Sequence, residues 1–423
     1  MKSVKPTAIT EWFRKSEIPV PGHFNQSQIF RCAKRLNPYT LKATMRMLCG
    51  YHENLRAVWD GNQLVVRDMN CLNLVLVEQH DLRRSQNVEA DMLPILQKLQ
   101  SSIDLAKGPL VHVGHFMLPE YDAVFMAIHH LVVDGVSWRI IAEDLNAIYP
   151  QLLTGSSKIK LPKIRCTFAD YAEAVHQYAV SDSLAEELPY WTGVAAGIRE
   201  LVAGEQQRSD EHGVIRISVD KEVTQKVLTE CVGKYGVEIN DLLLTALSRA
   251  WKKVSGQDKI ALSMEGHGRE SFGDNPLELE RIIGWFTTIF PALVDGSIDD
   301  IAEHVKQTAA TMHAIPNKGF GYGTLRHIAK KEEELACSPQ MTFNYLGSFE
   351  EGGSSGQFFS FENSLPKGSD VDIKNLREEI PMAINCLVVK GCLVGNMSFD
   401  TGFISSEKAQ ALIDEFTAQL ANL

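Results

Sequence analysis

Two histidines, an aspartate and a glycine follow one short apolar segment and form the most reactive cluster in the sequence. Residues 123–128 are apolar, and His129, His130, Asp134 and Gly135 come shortly after them. Histidine serves as a general acid or base because its pKa lies near neutrality. Adjacent residues of a strand point to opposite faces, so only one of the two imidazoles can enter a given cleft. The pattern predicts one reactive histidine and one that packs or supports it.

This cluster also allows other interpretations. Asp134 is either a second catalyst or a structural ion that shapes the loop, and the two histidines could equally satisfy one another or bind a metal. Metal binding is disfavoured because no third ligand stands at a suitable spacing and no Cys-x-x-Cys occurs. Taken alone, the pattern favours catalysis and structure about equally.

A strand and a helix must position these groups. The apolar residues 123–128 are typical of a buried strand, and Gly135 permits a sharp turn after it. Ser137 is predicted to cap a helix, since apolar residues recur behind it at helical spacing: Ile141, Leu145 and Ile148. A strand that ends at a helix start is a rigid support for acid–base groups.

A second polar cluster follows another predicted strand, residues 260–264. The segment EGHGRE occupies residues 265–270, where two glycines flank a histidine and allow close approach of a ligand. The simplest structural interpretation is a charged loop in which Glu265 and Arg269 pair at the surface. We favour a functional interpretation because the segment ends a strand as the histidine cluster does.

Length and composition restrict the class of protein. A chain of 423 residues exceeds one hydrophobic core and predicts two lobes. The formal net charge of −11 argues against nucleic-acid binding. The eight cysteines show no framework spacing, and neither a signal peptide nor an apolar run of membrane-spanning length is recognisable. These features predict a cytoplasmic protein without a membrane partner.

Several motifs resemble one known family. HHLVVDGVSWR, residues 129–139, resembles the core motif of the condensation-domain superfamily of nonribosomal peptide synthetases. Its GVSWR ending, EGHGRE and the later FNYLG of residues 343–347 are similar to the epimerization branch in particular. The resemblance covers nearly the whole chain, although the first motif is degraded, with Ala8 and Thr10 at its proline and glutamine places.

The resemblance implies an α/β fold of two chloramphenicol-acetyltransferase-like lobes. They would form a V-shaped pseudo-dimer with the active site in the tunnel between them. We place the N-terminal lobe at residues 1–180, carrying HHLVVDG, and the C-terminal lobe at residues 181–423, carrying EGHGRE and FNYLG. Carrier, adenylation and thioesterase segments are not recognisable in the sequence. The glycine- and serine-rich residues 352–356 predict a surface loop rather than a carrier-domain serine site.

The chemistry implied is epimerization, from L to D, of the α-carbon of an aminoacyl or peptidyl thioester. Removing an α-proton and returning one to the opposite face needs two acid–base groups with pKa values suited to neutral pH. His130 and Glu265 fit these roles, and the resemblance points to the same pair. A desolvated glutamate would reach the required pKa range.

Other residues are assigned supporting roles. Asn344, Tyr345 and His129 are predicted to position the substrate or stabilise the enolate oxygen. Asp134, Arg56 and Gly135 are predicted to be structural, with an ion pair between Arg56 and Asp134 because buried carboxylates are usually paired.

The partners follow from the same resemblance. The substrate would arrive on the phosphopantetheine arm of a peptidyl carrier protein, among other synthetase modules, and the chain would need no cofactor of its own and no metal. A condensation domain, in which His130 positions an amine for attack on a thioester, is the second candidate. A non-catalytic module that docks carrier proteins is the third; the degraded first motif leaves it open, whereas the intact HHLVVDG motif argues against it.

Overall fold

The strands that the structure describes form three sheets. The structure is a computed structural model and describes the chain except residues 204–206, 210, 274–276, 350–356 and 377–379. The loop predicted at residues 352–356 lies outside the described residues. Among those described, the strands are β1 Lys2–Val4, β2 Asn25–Cys32, β3 Ala57–Trp59, β4 Leu64–Val66, β5 Leu76–Asp81, β6 Val111–Met117, β7 Asp122–His129, β8 His212–Val219, β9 Lys259–Gly266, β10 Thr288–Asp295, β11 Met341–Phe349, β12 Phe359–Phe361, β13 Met382–Val389 and β14 Cys392–Asp400.

Helices alternate with these strands, as the α/β prediction requires. They are α1 Ala8–Lys15, α2 Pro38–Tyr51, α3 Val88–Ser101, α4 Gly135–Leu153, α5 Phe168–Tyr178, α6 Asp182–Ala185, α7 Leu188–Leu201, α8 Lys221–Gln225, α9 Val232–Tyr235, α10 Ile239–Ser255, α11 Ile301–His313, α12 Phe320–Gly323, α13 Glu332–Leu335 and α14 Ser406–Ala421. Within the described ranges, every helix falls short of the length and apolarity that crossing a bilayer demands.

The chain divides into two compact units. The first comprises Met1–Ala179 with the described residues of Ser271–Thr287 and Gly352–Leu376, and the second comprises the remainder. The division near residue 180 lies where the sequence analysis put it. The two later segments, however, were assigned to the C-terminal lobe and pack in the first unit instead. Their apolar side chains explain this, since Trp285, Phe286 and Phe359 are almost fully buried there.

The first unit is built on a five-stranded sheet in the order β12-β2-β7-β6-β5, with a separate three-stranded sheet in the order β1-β4-β3. Strand β7 runs antiparallel between β2 and β6, and each of its residues is buried. Burial on both faces explains why residues 123–128 form an uninterrupted apolar run rather than an alternating one. Helix α3 contributes to a core cluster with this sheet, formed by Ile29, Met92, Leu96, Leu99, Phe116, Leu118, Ala123, Phe125 and Ala127.

The second unit is built on a six-stranded mixed sheet in the order β10-β9-β11-β13-β14-β8. Strand β11 is parallel to both of its neighbours, β9 and β13, whereas the other pairs are antiparallel. Lys390 and Gly391 between two apolar segments predict a hairpin by the turn rule. The structure confirms it, because β13 and β14 pair from Met382 opposite Phe399 to Val389 opposite Cys392.

Candidate active site

The end of β7 separates the two histidines. His129 is the last residue of the strand and has no exposed surface, whereas His130 opens a short 3₁₀ turn, His130–Val132, and is partly exposed. The prediction that one imidazole is accessible and the other packs in the interior is therefore confirmed, and His130 is the accessible one.

His130 is held by hydrogen bonds at both ring nitrogens. Nδ1 lies 2.8 Å from the Val133 carbonyl oxygen, and Nε2 lies 2.8 Å from Nε2 of Gln26. The Gln26 amide oxygen in turn accepts a hydrogen bond of 2.9 Å from Trp138 Nε1. These contacts connect β2, the 3₁₀ turn and α4, so the ring position depends on three elements of the first unit.

Two aromatic rings, which also contact one another, pack against the imidazole. The ring centroid of Trp285 lies 4.3 Å from that of His130, and the Phe24 centroid lies 5.8 Å away. This desolvation lowers the pKa of His130, since the charged imidazolium loses water, although the carboxylate of Asp134 acts in the opposite direction. At a given pH, a larger fraction of His130 is therefore neutral than of an ordinary histidine.

His129 is fully buried in the protein interior. Its Nε2 lies 2.8 Å from the carbonyl oxygen of Pro21, and its Nδ1 accepts a bond of 3.3 Å from the Leu131 amide. Burial lowers its pKa to about 3, which keeps the ring neutral. With both nitrogens occupied and no exposed surface, the predicted role of His129 in positioning a substrate does not fit the structure. It instead fixes the end of β7.

Asp134 is the N-cap of α4. Its Oδ1 accepts bonds from the Ser137 amide at 2.8 Å and the Ser137 hydroxyl at 2.7 Å, and its Oδ2 accepts one from the Phe286 amide at 3.3 Å. The prediction of Ser137 as the cap is wrong, because the helix begins two residues earlier at Gly135. The carboxylate thus joins the helix start to the segment 281–287, and this geometry agrees with a structural role.

Arg56 and Gly135 do not act as predicted. The Arg56 guanidinium donates to the carbonyl oxygens of Cys49 at 3.1 Å, Gly50 at 3.0 Å and Arg67 at 2.8 Å, and among the contacts of the described residues it makes no ion pair with Asp134. Cys49 and Gly50 lie in the last turn of α2, whose carbonyls lack partners within the helix and attract the cation. At Gly135 an added Cβ would meet nothing within 4 Å, so glycine is not required there.

In the second unit, Glu265 stands near the end of β9 and is hydrogen-bonded to the neighbouring strand. Asn344 Nδ2 donates to Glu265 Oε2 at 3.1 Å. The parallel register explains the contact, since Phe343 pairs with Met264 and the next residues therefore lie side by side. Although solvent reaches the Glu265 side chain, protein atoms around it partly desolvate the carboxylate and raise its pKa.

Tyr345 lies on the other face of the sheet. Successive strand residues alternate, and Tyr345 shares its face with buried Phe343 and is registered with buried Cys386. Its predicted grouping with Asn344 is therefore wrong. The residue that does neighbour Asn344 is Asn385, directly opposite it on β13 and partly exposed. Strand alternation, applied to FNYLG, would have separated Asn344 from Tyr345.

Sequence reasoning missed three residues around His130: Gln26, Trp138 and Trp285. Of these, Trp138 lies in the GVSWR segment at 135–139, which was singled out only for its resemblance to the epimerization branch. Local spacing does not indicate their roles, because Gln26 and Trp285 reach His130 only through tertiary packing and Trp138 acts on it through Gln26; Gln26 and His130 are 104 residues apart.

Comparison with known families matches almost the entire chain. A family model described as "Condensation domain" matches residues 11–423. The epimerization domain from the third module of tyrocidine synthetase B has a similar solved structure, with a TM-score of 0.86, 30% identity, and coverage of 100% of this chain and 96% of that one. The first condensation domain of the calcium-dependent antibiotic synthetase shares the fold, with a TM-score of 0.72 at 15% identity, over 99% and 95% of the two chains.

Curated relatives are much longer proteins. Surfactin synthase subunit 1 of Bacillus subtilis (strain 168) is 33% identical over 437 residues, which cover 99% of this chain and 12% of that protein. Tyrocidine synthase 1 of Brevibacillus parabrevis is 32% identical over 99% of this chain and 40% of its own length. The chain thus spans less than half of either relative. The two-lobed α/β fold predicted from the motifs is that of the condensation-superfamily structures.

Proposed function

Since this chain belongs to the condensation-domain family, we propose that it is an epimerization domain of nonribosomal peptide synthesis. It inverts the α-carbon of an aminoacyl or peptidyl thioester presented on the phosphopantetheine arm of a peptidyl carrier protein. His130 and Glu265 are the two acid–base groups, and no cofactor of the chain itself takes part.

The observation that carries the proposal is the state of Glu265. Its carboxylate is reachable from solvent, is oriented by Asn344 at 3.1 Å, and has a raised pKa. A raised pKa makes this carboxyl group easier to protonate than an ordinary glutamate, which favours a role in acid–base catalysis. Epimerization requires such a second acid–base group in addition to a histidine, whereas joining an amine to a thioester has no comparable use for it.

The reaction balances without an added reactant. One group removes the α-proton, the C–H electron pair becomes an enolate conjugated with the thioester carbonyl, and the other group donates a proton to the opposite face. The thioester favours this step because it stabilises an enolate better than an amide does. Asn344 donates to the Glu265 carboxylate, and Asn385, opposite Asn344 on β13, is a second polar group on the same face of the sheet.

The similarity to the epimerization domain of tyrocidine synthetase B, at 30% identity over the full chain, supports the same activity. Condensation remains the competing reaction, because the long relatives are whole synthases and their names do not specify the reaction of the part that matches this chain.

One reaction distinguishes the candidates. Carrier proteins loaded with single L-amino acids are incubated with the protein, the thioester is hydrolysed, and the released amino acid is resolved on a chiral column. Epimerization predicts a mixture of enantiomers from one carrier alone, and free amino acids should remain L. Persistence of pure L-amino acid, with peptide formed once a second loaded carrier is added, would instead identify a condensation domain. Binding of the carrier with neither product would identify a docking module.

A matched pair of variants connects the activity to the site. Glu265→Gln keeps the shape of the side chain and removes its ability to exchange a proton. Glu407→Gln makes the same change at an exposed position of α14 in the same unit and should retain activity.

A further inference from the structure

Three hydrogen bonds form a continuous chain through His130. Trp138 Nε1 lies 2.9 Å from Gln26 Oε1, Gln26 Nε2 lies 2.8 Å from His130 Nε2, and His130 Nδ1 lies 2.8 Å from the carbonyl oxygen of Val133. All four residues belong to the first unit. Trp138 is almost fully buried, and Gln26 is held in the β2 ladder opposite Ile128.

The chemistry of the groups determines the direction of every bond. An indole N–H can only donate, so the oxygen of the Gln26 amide must face Trp138 and its NH₂ group must face His130. An NH₂ group also only donates, so His130 Nε2 must present a lone pair. The ring proton then resides on Nδ1, where the Val133 carbonyl accepts it. The two ends of the chain specify the same neutral tautomer.

From this geometry we infer that Gln26, oriented by Trp138, is a positioning residue that keeps His130 neutral with its lone pair at Nε2, so that His130 starts the reaction as the base. The role as base rests on the proposed function, whereas the tautomer of the resting protein does not.

Protonation of His130 conflicts with this arrangement. A proton on Nε2 would face the Gln26 NH₂ group at 2.8 Å, donor against donor. Rotating the amide would relieve that contact but would turn the NH₂ group toward the N–H of Trp138, because the indole cannot accept. The unfavourable contact would move from one neighbour to the other and would not be removed.

The groups packed around the ring act in both directions. The carboxylate of Asp134 favours the imidazolium, whereas desolvation by the surrounding protein disfavours it and lowers the pKa. Phe24 and Trp285 contribute no charge, and His129 stays neutral because its own pKa is about 3. Desolvation therefore opposes the effect of the Asp134 charge on the pKa of His130. The directional hydrogen bond from Gln26 acts in the same sense as the desolvation.

The same contact occupies the atom that must react. During abstraction the α-C–H bond breaks, an N–H bond forms at Nε2, and the electron pair remains as the enolate. The Gln26 amide must move away from Nε2 before this transfer. In the resting protein it occupies the position that the α-hydrogen of the substrate takes during the reaction. After turnover the proton passes from Nε2 to solvent, and return of the amide favours that loss.

The test measures the histidine directly, in the full chain and without substrate. Protein labelled with ¹⁵N in its histidines is titrated by NMR, and the His130 signal among the 13 histidines is assigned by its loss in His130→Ala. At neutral pH the wild-type spectrum should show a protonated Nδ1 and a bare Nε2.

Two substitutions then alter the chain of bonds. Trp138→Phe removes the donor that orients Gln26 without touching His130, so the amide can turn its oxygen to Nε2 and the pKa of His130 should rise by about one unit. Gln26→Glu puts an acceptor beside Nε2 while still accepting from Trp138, and should raise the pKa at least as much. In the Gln26→Met background, Trp138→Phe should have no further effect, because the connecting amide is gone.

A wild-type ring with its proton on Nε2 would overturn the inference, even if every variant failed to fold. An unchanged pKa of His130 in folded Trp138→Phe and Gln26→Glu would overturn it as well. A protein that shows the expected titration but leaves carrier-bound L-amino acids unchanged would refute the proposed epimerization and retain the resting tautomer.

Discussion

At the scale of single residues, the environments of His130 and Glu265 differ in the directions needed for two proton-transfer roles. Desolvation lowers the pKa of the histidine and raises that of the glutamate, so the two values approach one another. A neutral histidine accepts a proton and a protonated glutamate donates one. The two groups therefore suit a reaction that takes a proton from one face and returns one to the other.

Isotope exchange should separate the two roles. In heavy water, Glu265→Gln starting from L-aminoacyl carrier should still incorporate deuterium slowly, because His130 can remove and return a proton on one face. His130→Ala should suppress exchange from L and permit some from the D enantiomer. Both variants should lose roughly two to four orders of magnitude of epimerization, as removal of a general acid or base does. Wild-type epimerization by Glu265→Gln would refute the two-group mechanism.

The buried neutral His129 should make stability depend on pH. Its pKa is about 3 in the folded protein, below the ordinary value of about 6.5 of an unfolded chain. The unfolded state therefore binds a proton that the folded state does not, and the contribution to stability is complete above pH 6.5 and falls as pH decreases toward 3. Between pH 6.5 and 5 the loss is about 2 kcal/mol.

Urea denaturation at pH 7 and pH 5 checks this expectation. Wild-type protein should lose more stability between the two pH values than His129→Gln, whose amide can donate to the Pro21 carbonyl and accept from the Leu131 amide without titrating. Equal losses in the two proteins would show that His129 protonates in the folded state.

At the scale of elements, the start of α4 organises the loop that carries His130. Asp134 accepts hydrogen bonds from the Ser137 amide and from the Phe286 amide, so one carboxylate orders two segments. Helix caps of this kind stabilise by about 0.5–2 kcal/mol.

We expect Asp134→Ala to destabilise the protein by about 1–3 kcal/mol, since it removes the cap and an acceptor that buried donors of Ser137 and Phe286 share. Asp134→Asn should lose less, because an amide oxygen still accepts at the N-cap. Denaturation midpoints of the two variants provide the comparison. Similar, near-wild-type midpoints would mean that the cap contributes little.

The segment 281–287 is attached to α4 by a second ionic contact. Arg281 is hydrogen-bonded to Glu143 and to buried Asp144. The Asp144 carboxylate also forms a hydrogen bond of 2.6 Å with His52 Nε2. Removing the guanidinium leaves the buried Asp144 carboxylate with His52 as its remaining side-chain partner among the described contacts. Arg281→Ala should therefore destabilise the protein by about 2–4 kcal/mol.

Arg165→Ala is the control for that variant. Arg165 pairs with Glu278 at 2.8 Å, but both side chains are more than half exposed, and such pairs contribute about 0–1 kcal/mol. A larger loss for Arg165→Ala than for Arg281→Ala, measured by urea denaturation, would contradict the distinction between buried and exposed pairs.

The sequence predicted those parts of the site that are contiguous in the chain. A buried strand, a histidine pair at its end and a helix beyond follow from periodicity, and β7, the 3₁₀ turn and α4 confirm them. The second prediction of this kind, a strand before Glu265, holds for the same reason. The predicted ion pair between Arg56 and Asp134 was wrong because the sequence cannot show that carbonyl oxygens at the end of α2 already accept the hydrogen bonds of the guanidinium. Gln26 and Trp285 were missed because tertiary packing alone brings them to His130.

At the scale of the whole molecule, the first unit is discontinuous in sequence. Residues 1–179 alone lack Trp285 and Phe286, which pack on His130 and on Phe168 and Tyr171, respectively. They also lack β12, which pairs with the edge of β2.

A fragment of residues 1–179 should therefore not reach the native state. Without the returning segments, aromatic surfaces of the core lose their partners, and the Asp134 carboxylate loses its contact with the Phe286 amide. We expect the fragment to aggregate or to show little near-ultraviolet circular dichroism compared with the full chain. A cooperative unfolding transition, together with the His130 resonance of the intact protein, would show instead that the returning segments are dispensable.

The returning segments also impose an order on biosynthesis. A ribosome releases the chain from its N-terminus, so β2, β7 and α4 are available long before residues 271–287 and 357–376 that complete their unit. Pairing of β12 with β2 joins Phe359 to Cys32, among the longest-range contacts a 423-residue chain can make, and such contacts form slowly. During that interval the nascent chain exposes apolar surface and an unpaired strand edge. Chaperone binding to residues 1–179 should therefore persist until residues 357–376 have been translated.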